Sequence, residues 1–317
     1  MNIMIIGAGS LGLLFASKIA PFCEQITVVT RTVEQAETLA QQGILLDGVA
    51  SSTTQTGAPI TFNSYQKDEM ETGYTAEHPI DYIFLMVKQT AITAELVHYI
   101  RTQMTKNTFL VCFQNGVGHE LKLGQVIQTD RLLFAVTTEG AKRNGPTSVS
   151  HTGHGITYIG GLASTHAIEE DSRHFLLIYR LELAGVHAVL SKNMEVRIWN
   201  KLVINSVINP LTAIFRVPNG ELLSSEWTRS LMQDLYQEAL SLAAAKGIQL
   251  PDELWSTILE VCQATSANHS SMLQDIEASR QTEIDYLNGR LVDMGQEIGL
   301  ELPLHRMMYK MIKAIEN

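Results

Sequence analysis

The chain opens Ile3-Met4-Ile5-Ile6-Gly7-Ala8-Gly9-Ser10-Leu11-Gly12. An apolar run, a G-x-G-x-x-G turn and an amphipathic stretch from Leu13 to Ala20 form the strand–turn–helix that seats a dinucleotide pyrophosphate at a helix N-terminus. Gly7 permits the tight turn. Gly9 removes the side chain where backbone must approach phosphate, and Gly12 lets the helix pack close to the strand. Ala8, Ser10 and Leu11 complete the expected cofactor loop. A glycine-rich turn alone is a weak sign, but a second apolar run, Ile26 to Thr30, follows at the distance a βαβ unit requires.

The end of that second run bears on the cofactor. It reads Val28-Val29-Thr30-Arg31-Thr32. An NAD-specific site usually places a carboxylate there, to accept hydrogen bonds from the ribose hydroxyls. Arg31 stands there instead, and a guanidinium suits a 2′-phosphate through its charge and forked donors. The expected cofactor is therefore NADPH/NADP+. The alternative for Arg31 is a solvated surface arginine.

With 317 residues the chain has room for two domains, each with its own core. A formal charge of −10 argues against nucleic acid as a partner, because a phosphate polymer is repelled. Cys23, Cys112 and Cys262 are odd in number, far apart and without C-x-x-C spacing, so buried thiols in a reducing cytoplasm are expected. The histidines offer no H-E-x-x-H, and His151 and His154 read as turn residues beside a strand, so no metal site is expected. There is no G-x-S-x-G elbow for acyl transfer. The N-terminal apolar stretch lacks a basic leader and is broken by fingerprint glycines. No charge-free apolar run of about 18 residues occurs elsewhere, so no membrane span or secretory signal is expected.

Strand-like runs alternate with helix-like ones through the first half: Ile3–Ile6, Ile26–Thr30, Tyr82–Val87, Phe109–Phe113 and Leu132–Val136, with a helix at Ala91–Met104. Short continuous apolar strands between helices imply a doubly wound, mostly parallel sheet. Residues 44–62 and 147–160 read as short antiparallel pieces, and Ser64–Pro79 as a polar loop or insertion. From about Asn193 the texture changes to long 3.6-residue periods: Met194–Asn209, Gly220–Ala245, Pro251–Gln263, His269–Arg280, Glu283–Ile298 and Pro303–Ile315. The expected organisation is an α/β Rossmann-type dinucleotide-binding domain over residues 1–192 and an all-α domain over 193–317.

The helical half carries the candidate chemistry. Lys201, Asn205 and Asn209 recur every four residues and share one helix face, while Trp199, Leu202, Val203 and Ile208 lie largely off it. Pro210 is expected to end or kink that helix. An ammonium in so apolar a stretch either faces a cleft, where burial lowers its pKa and makes it a usable proton donor, or snorkels to solvent. The spacing leaves both readings open. Asn268 and Ser271 share a second face, and either hold substrate or mark a helix start. Glu283 either pairs with a lysine or sits in a first helical turn. Lys88 and Gln114-Asn115-Gly116 lie at the tips of successive strands, where ligands of open α/β sheets bind.

These residues bring a family into view. The chain resembles ketopantoate reductases (2-dehydropantoate 2-reductases) over nearly its full length. The match runs through the glycine fingerprint, Arg31, Val87-Lys88, Gln114-Asn115-Gly116, Lys201 to Asn209, Asn209-Pro210-Leu211-Thr212-Ala213, Pro218-Asn219-Gly220-Glu221-Leu222, Ser270-Ser271-Met272-Leu273-Gln274-Asp275 and Thr282-Glu283-Ile284-Asp285-Tyr286.

The resemblance implies a Rossmann domain followed by a helical domain like the C-terminal domain of 6-phosphogluconate dehydrogenase, with the active site in the cleft between them. It implies a cytoplasmic enzyme that reduces ketopantoate, a 2-oxo acid, with NADPH to (R)-pantoate, on the route to pantothenate and coenzyme A. Lys201 is then the general acid and Glu283 its acidic partner, also close to cofactor. Asn205, Asn209, Asn268 and Ser271 hold substrate. Lys88 and Asn115 line the ribose–nicotinamide end, and Arg31 holds the 2′-phosphate.

Two alternatives stay open: a paralogue acting on another 2-oxo acid, and an NADP(H)-binding redox sensor without turnover. A homodimer is compatible with the sequence but not fixed by it. Two departures stand out. Gln89-Thr90-Ala91 follows the strand-tip lysine where the family often has a small residue, an aromatic and Gln, and the stretch Ser64–Pro79 is longer than usual.

Overall fold

The computed structural model describes residues 1–51, 59–65, 79–162 and 171–316. The chain forms two compact units, one of Met1–Gln114 with His119–Met194, the other of Asn115–Gly118 with Glu195–Asn317. The helical unit thus includes four residues that the sequence reading had placed within the α/β domain.

The first unit contains β1 (Asn2–Ile6), α1 (Ser10–Ile19), β2 (Gln25–Thr30), α2 (Val33–Gln42), β3 (Ile44–Leu46), β4 (Val49–Ser51), β5 (Thr61–Ser64), β6 (Tyr82–Leu85), α3 (Ala94–Gln103), β7 (Phe109–Cys112), α4 (His119–Gly124), β8 (Leu132–Thr137), β9 (Gly140–Arg143), β10 (Ser148–Gly153), β11 (Thr157–Gly160), α5 (Ser172–Leu183) and β12 (Ala188–Leu190). Its main sheet has the order β12-β11-β8-β7-β6-β1-β2-β5. All neighbours are parallel except β8 and β11. Strand order reverses at β1, which has β2 on one side and β6 on the other. Ligands of such sheets bind beyond the carboxyl ends at that switch point.

Helix α1 is held by apolar contacts on both sides. Its Phe15 meets Phe84 and Phe113 edge-on, with centroids 6.5 and 5.2 Å apart. Ile44 and Val149 of the small sheet β4-β3-β10-β9 belong to the same core. Gly12 faces the turn so closely that a Cβ there would lie 1.9 Å from the Gly7 carbonyl oxygen. Gly7 itself has φ +113°, a region L-residues avoid.

Several sequence expectations are corrected. Thr61–Ser64 pairs parallel with β2, and β10 pairs parallel with β3, so neither stretch is purely antiparallel. Edge strand β12 and strand β9 are too short to carry a periodic signal, whereas helix α5, with His174, Leu177 and Leu181 buried along one face, carries one that the sequence reading did not use. Most of the Ser64–Pro79 stretch lies outside the described residues.

The second unit contains α6 (Met194–Phe215), α7 (Glu226–Ala245), α8 (Leu254–Ala264), α9 (Ser271–Glu277), α10 (Asn288–Glu297) and α11 (Pro303–Glu316). Single turns of 3₁₀ helix at Asn219–Leu223 and Ile284–Tyr286 replace the helix starts expected at Gly220 and Glu283. Leu202, Val203 and Leu211 of α6 share a core with Leu235 and Leu242 of α7, Leu291 of α10 and Ile312 of α11.

Pro210 does not end α6, which runs on to Phe215. Proline has no N–H, so the carbonyl of Ser206, four residues earlier, loses its helical donor. The side-chain NH₂ of Asn288 supplies one at 2.9 Å. Leaving that carbonyl buried and unpaired would cost about 1–3 kcal/mol. A side chain from α10 thus stands in for the missing backbone donor within the continuing helix.

Two predictions follow from this packing. Gly12→Ala forces a methyl into the Gly7 carbonyl and lowers stability by about 1–3 kcal/mol, as overpacking does; an unchanged melting temperature contradicts the contact. Burial also pushes His119 and His305 down to about 4, so both are neutral in the folded chain near neutrality. Unfolding raises their affinity for protons, so stability falls as pH drops from about 6.5 to about 4. Thermal melts across that range are expected to decline, and less steeply in His119→Phe; a slope untouched by that change contradicts the assignment.

Candidate active site

Of the cofactor residues expected from sequence, Gly7 to Gly12, Arg31 and Lys88 lie in the first unit, the glycine turn at the β1–β6 switch point, while Asn115 and Glu283 belong to the second. Gly7 N–H donates to Val29 O at 2.8 Å, and Met86 N–H to Ile6 O at 2.8 Å, which fixes the turn between neighbouring strand ends. A Cβ on Gly7 would lie 2.9 Å from the Met86 carbonyl, so the two backbones touch. At Gly9, by contrast, a Cβ would meet nothing within 4 Å. The space over Gly9 is open, and it lies at the N-cap of α1, whose first turn carries no acidic residue. Free N–H groups, a positive dipole end and no competing carboxylate are what a pyrophosphate requires. The chain's own residues therefore fit a dinucleotide.

Arg31 is exposed just beyond β2, where Ser64 Oγ donates to its carbonyl at 3.0 Å. Thr32 caps α2 by accepting from Gln35 N–H at 3.3 Å, and Gln35 Nε2 reaches Ala8 O at 3.3 Å, tying α2 to the glycine loop. Lys88 is half-buried beyond β6, preceding a 3₁₀ turn at Gln89–Ala91. Gln114 spans the ends of β6 and β7, its Nε2 donating to Leu85 O and Val87 O, both at 2.8 Å.

The candidate catalytic residues assemble in the helical unit. Lys201 sits on α6, and desolvation pushes its ammonium down to about 8, while the nearby Glu283 carboxylate pulls the value back up. The residue as a whole is half-buried. A lysine whose ammonium snorkelled freely into solvent would not be desolvated. Asn205 is half-buried and Asn209 nearly buried along the same stripe.

Glu283 is held from several sides. Thr282, fully buried, donates to Glu316 Oε1 through its N–H at 2.8 Å and its hydroxyl at 2.6 Å. Asp285 accepts from Tyr309 Oη at 2.9 Å and Lys313 Nζ at 3.2 Å, which fixes the other side of Glu283 to α11. Asn115 Nδ2 then donates to Glu283 Oε2 at 3.3 Å.

That bond is one of several contacts that hold residues 115–118 to the helical unit; Val117 N–H also donates to Tyr286 O at 3.4 Å. Gly116 has φ +77°, and a Cβ there would lie 2.2 Å from Tyr286 O. Only glycine lets the Asn115 loop lie on the Glu283–Tyr286 backbone. The motif Gln-Asn-Gly was visible as a loop; its attachment to a segment 168 residues later was not.

Asn268 and Ser271 are both exposed at the start of α9. The cap itself is Ser270, which accepts from Leu273 N–H at 3.1 Å and from Thr212 Oγ1 at 2.7 Å. Capping thus accounts for Ser270, while the Ser271 side chain remains at the surface. Ser270 and Thr282 were missed as organisers; a serine three residues before the first buried leucine was the available sign.

His151 lies on β10, not in a turn, with its Nε2 2.5 Å from Glu139 Oε2 and its ring 4.3 Å from that of His154. Among the described residues no group of His, Cys, Asp and Glu could hold a metal ion, and no helix is long and apolar enough to cross a membrane. The three cysteines are buried, and burial pushes Cys23 up to about 12 and Cys262 up to about 11.

A doubly wound dinucleotide fold followed by an all-helical unit marks a class of nicotinamide-dependent oxidoreductases. The family description "Ketopantoate reductase PanE/ApbA" matches residues 3–164, and its C-terminal counterpart matches residues 193–316. The chain belongs to the ketopantoate reductase family. Curated relatives named 2-dehydropantoate 2-reductase include one from Listeria innocua, 31% identical over all of this chain and 97% of its own. Another, from Vibrio cholerae, is 30% identical over all of this chain and 98% of its own.

Among solved structures, a probable 2-dehydropantoate 2-reductase from Bacillus subtilis has a TM-score of 0.76 at 28% identity, covering 99% of this chain and 100% of its own. A D-mandelate dehydrogenase with NADH and anilino(oxo)acetate has a TM-score of 0.86 at 22% identity, covering 100% and 98%, and shares the fold.

Because Glu283 is the group that raises Lys201, Glu283→Gln should lower the lysine further below about 8. NMR titration of the Lys201 ζ-group reads this directly. A wild-type value at or above the ordinary 10.5 contradicts the desolvated environment.

Proposed function

We propose that this chain is an NADPH-dependent reductase of ketopantoate in which Lys201 is the general acid. The observation that carries the proposal is the desolvated Lys201 ammonium beside Glu283, on a chain that belongs to the ketopantoate reductase family.

The chemistry asks little else of the protein. NADPH, when bound, supplies the hydride. As the ketone carbon accepts it, the carbonyl electron pair collects on oxygen. The Lys201 ammonium stabilises that developing charge and transfers a proton to it, leaving a neutral amine that regains its proton from solvent. A value near 8 suits this role better than the ordinary 10.5: the lysine stays charged at neutral pH yet gives its proton more readily. Glu283 keeps the lysine protonated and fixes its orientation, and Asn115 in turn holds Glu283.

Neutral donors suit the substrate's carboxylate and hydroxyl. Asn209 and Asn205 follow Lys201 along one face of α6, and Asn268 and Ser271 lie at the start of α9 in the same unit. On the cofactor side, Gly7 to Gly12 receive the pyrophosphate. The exposed Arg31 takes the 2′-phosphate, which selects NADPH over NADH, and Lys88 lies at the nicotinamide end.

Steady-state NADPH oxidation with ketopantoate and a panel of branched 2-oxo acids tests the reading. Ketopantoate is expected to rank first, Lys201→Ala to lose about 10²-fold or more in rate, and activity to fall as pH rises through about 8. An unchanged rate in Lys201→Ala removes the mechanism, and a better 2-oxo acid removes the substrate assignment. Gly9→Ala separates binding from folding: with open space over the Cβ, melting should hold while NADPH affinity falls. Arg31→Ala should weaken NADPH and spare NADH; equal effects on both contradict its role.

A further inference from the structure

The geometry points to Asn288 as a positioning residue for the Lys201–Glu283 pair, acting through the helix carbonyl that Pro210 leaves without a donor. The inference rests on the reading of Lys201 as general acid.

Asn288 is fully buried and stands at the first position of α10, five residues after Glu283 in the chain. Its NH₂ group makes two bonds. One goes to Ser206 O on α6 at 2.9 Å, the other to His305 Nδ1 on α11 at 2.9 Å. The amide orientation is forced, since an oxygen in that position would face another carbonyl. The tautomer of His305 is forced as well: Nδ1 accepts from Asn288, and Nε2–H donates to Leu235 O on α7 at 3.0 Å. Three helices are thus tied at one amide, and the histidine that completes the tie is fully buried.

The tie falls at a particular place. Lys201, Asn205 and Asn209 form one stripe, and the helical bond that Pro210 removes, 206 to 210, lies across its last turn. A proline inside a helix removes one helical bond and crowds the carbonyl four residues back, so the geometry of that turn depends on the donor the carbonyl finds instead. A shift there would swing Asn209 relative to Lys201. The donor comes from Asn288, on the segment that follows Glu283. One side chain therefore fixes both the turn of the lysine helix at its proline and the separation of that helix from the glutamate's loop. Asn288 touches neither substrate nor reacting atoms in this account; it acts through Lys201, Asn209 and Glu283.

Proline explains why a side chain is needed, and it also supplies the test. Replacing Pro210 by alanine returns a backbone N–H to Ser206 O and makes the Asn288 donor redundant at that carbonyl. The full chain is assayed with NADPH and ketopantoate as wild type, Asn288→Ala, Pro210→Ala and the double variant, with NADPH affinity and melting temperature recorded for each and Lys201→Ala alongside.

Asn288→Ala is expected to lose about tenfold or more in kcat, as misplaced catalytic groups do, with NADPH affinity within twofold of wild type. Its basic pH limb should move by half a unit or more from the wild-type position. Pro210→Ala alone should stay near wild type, and the double variant should recover most of the lost kcat. If Asn288→Ala does not fold, the double variant measured against Pro210→Ala carries the same comparison, the two expected to agree in kcat and in pH limb.

A double variant that folds as wild type yet stays as slow as Asn288→Ala overturns the inference. So does an Asn288→Ala enzyme with unchanged kcat and pH limb while Lys201→Ala is inactive. Full activity in Lys201→Ala instead overturns the mechanism on which the inference rests, and the two failures are distinct.

Discussion

In the proposed mechanism the constraint on the helical unit is a single ammonium, withdrawn from water but not from a counter-charge. Desolvation drives Lys201 towards neutrality, and Glu283 opposes it, so the lysine settles at about 8. For the general acid proposed above, either influence alone would spoil the role. Full solvation would leave the proton held too tightly, and burial without a carboxylate would leave no proton to give at neutral pH. The surrounding hydrogen bonds serve that balance: Glu316 and Thr282 on one side of Glu283, Asp285 with Tyr309 and Lys313 on the other, and Asn115 on the carboxylate itself.

The α/β unit answers a different demand. A dinucleotide needs open space and free N–H groups at one place, and dense packing immediately beside it. Gly9 and Gly12 divide those tasks. A Cβ at Gly9 would meet nothing, whereas one at Gly12 would run into the Gly7 carbonyl. Gly7 meets the third requirement, the left-handed turn by which β1 touches the end of β6. Three glycines in six positions thus have three physical reasons, and substitution at each is expected to fail differently.

Much of this was legible in the sequence because it is local. The turn and its flanking strand fall within one dozen residues, and the i, i+4 stripe of Lys201, Asn205 and Asn209 needs only helical spacing. What stayed hidden depends on residues far apart in the chain. Nothing near Gln114-Asn115-Gly116 announces that the loop docks on Tyr286, nor does anything near Asn288 announce Ser206. Pro210 misled for the same reason: proline orphans the Ser206 carbonyl, and the donor that carbonyl finds, Asn288, lies 82 positions further along the chain. Edge strand β12 and the 3₁₀ turns are too short for periodicity to reveal.

The central claim is that one amine delivers the proton, and chemical rescue tests it most directly. The account predicts that Lys201→Ala, slow by itself, recovers rate when small primary ammonium ions are added, with smaller ions more effective and recovery lost above each amine's own pKa. A variant that reduces ketopantoate at the wild-type rate with no amine present would contradict it.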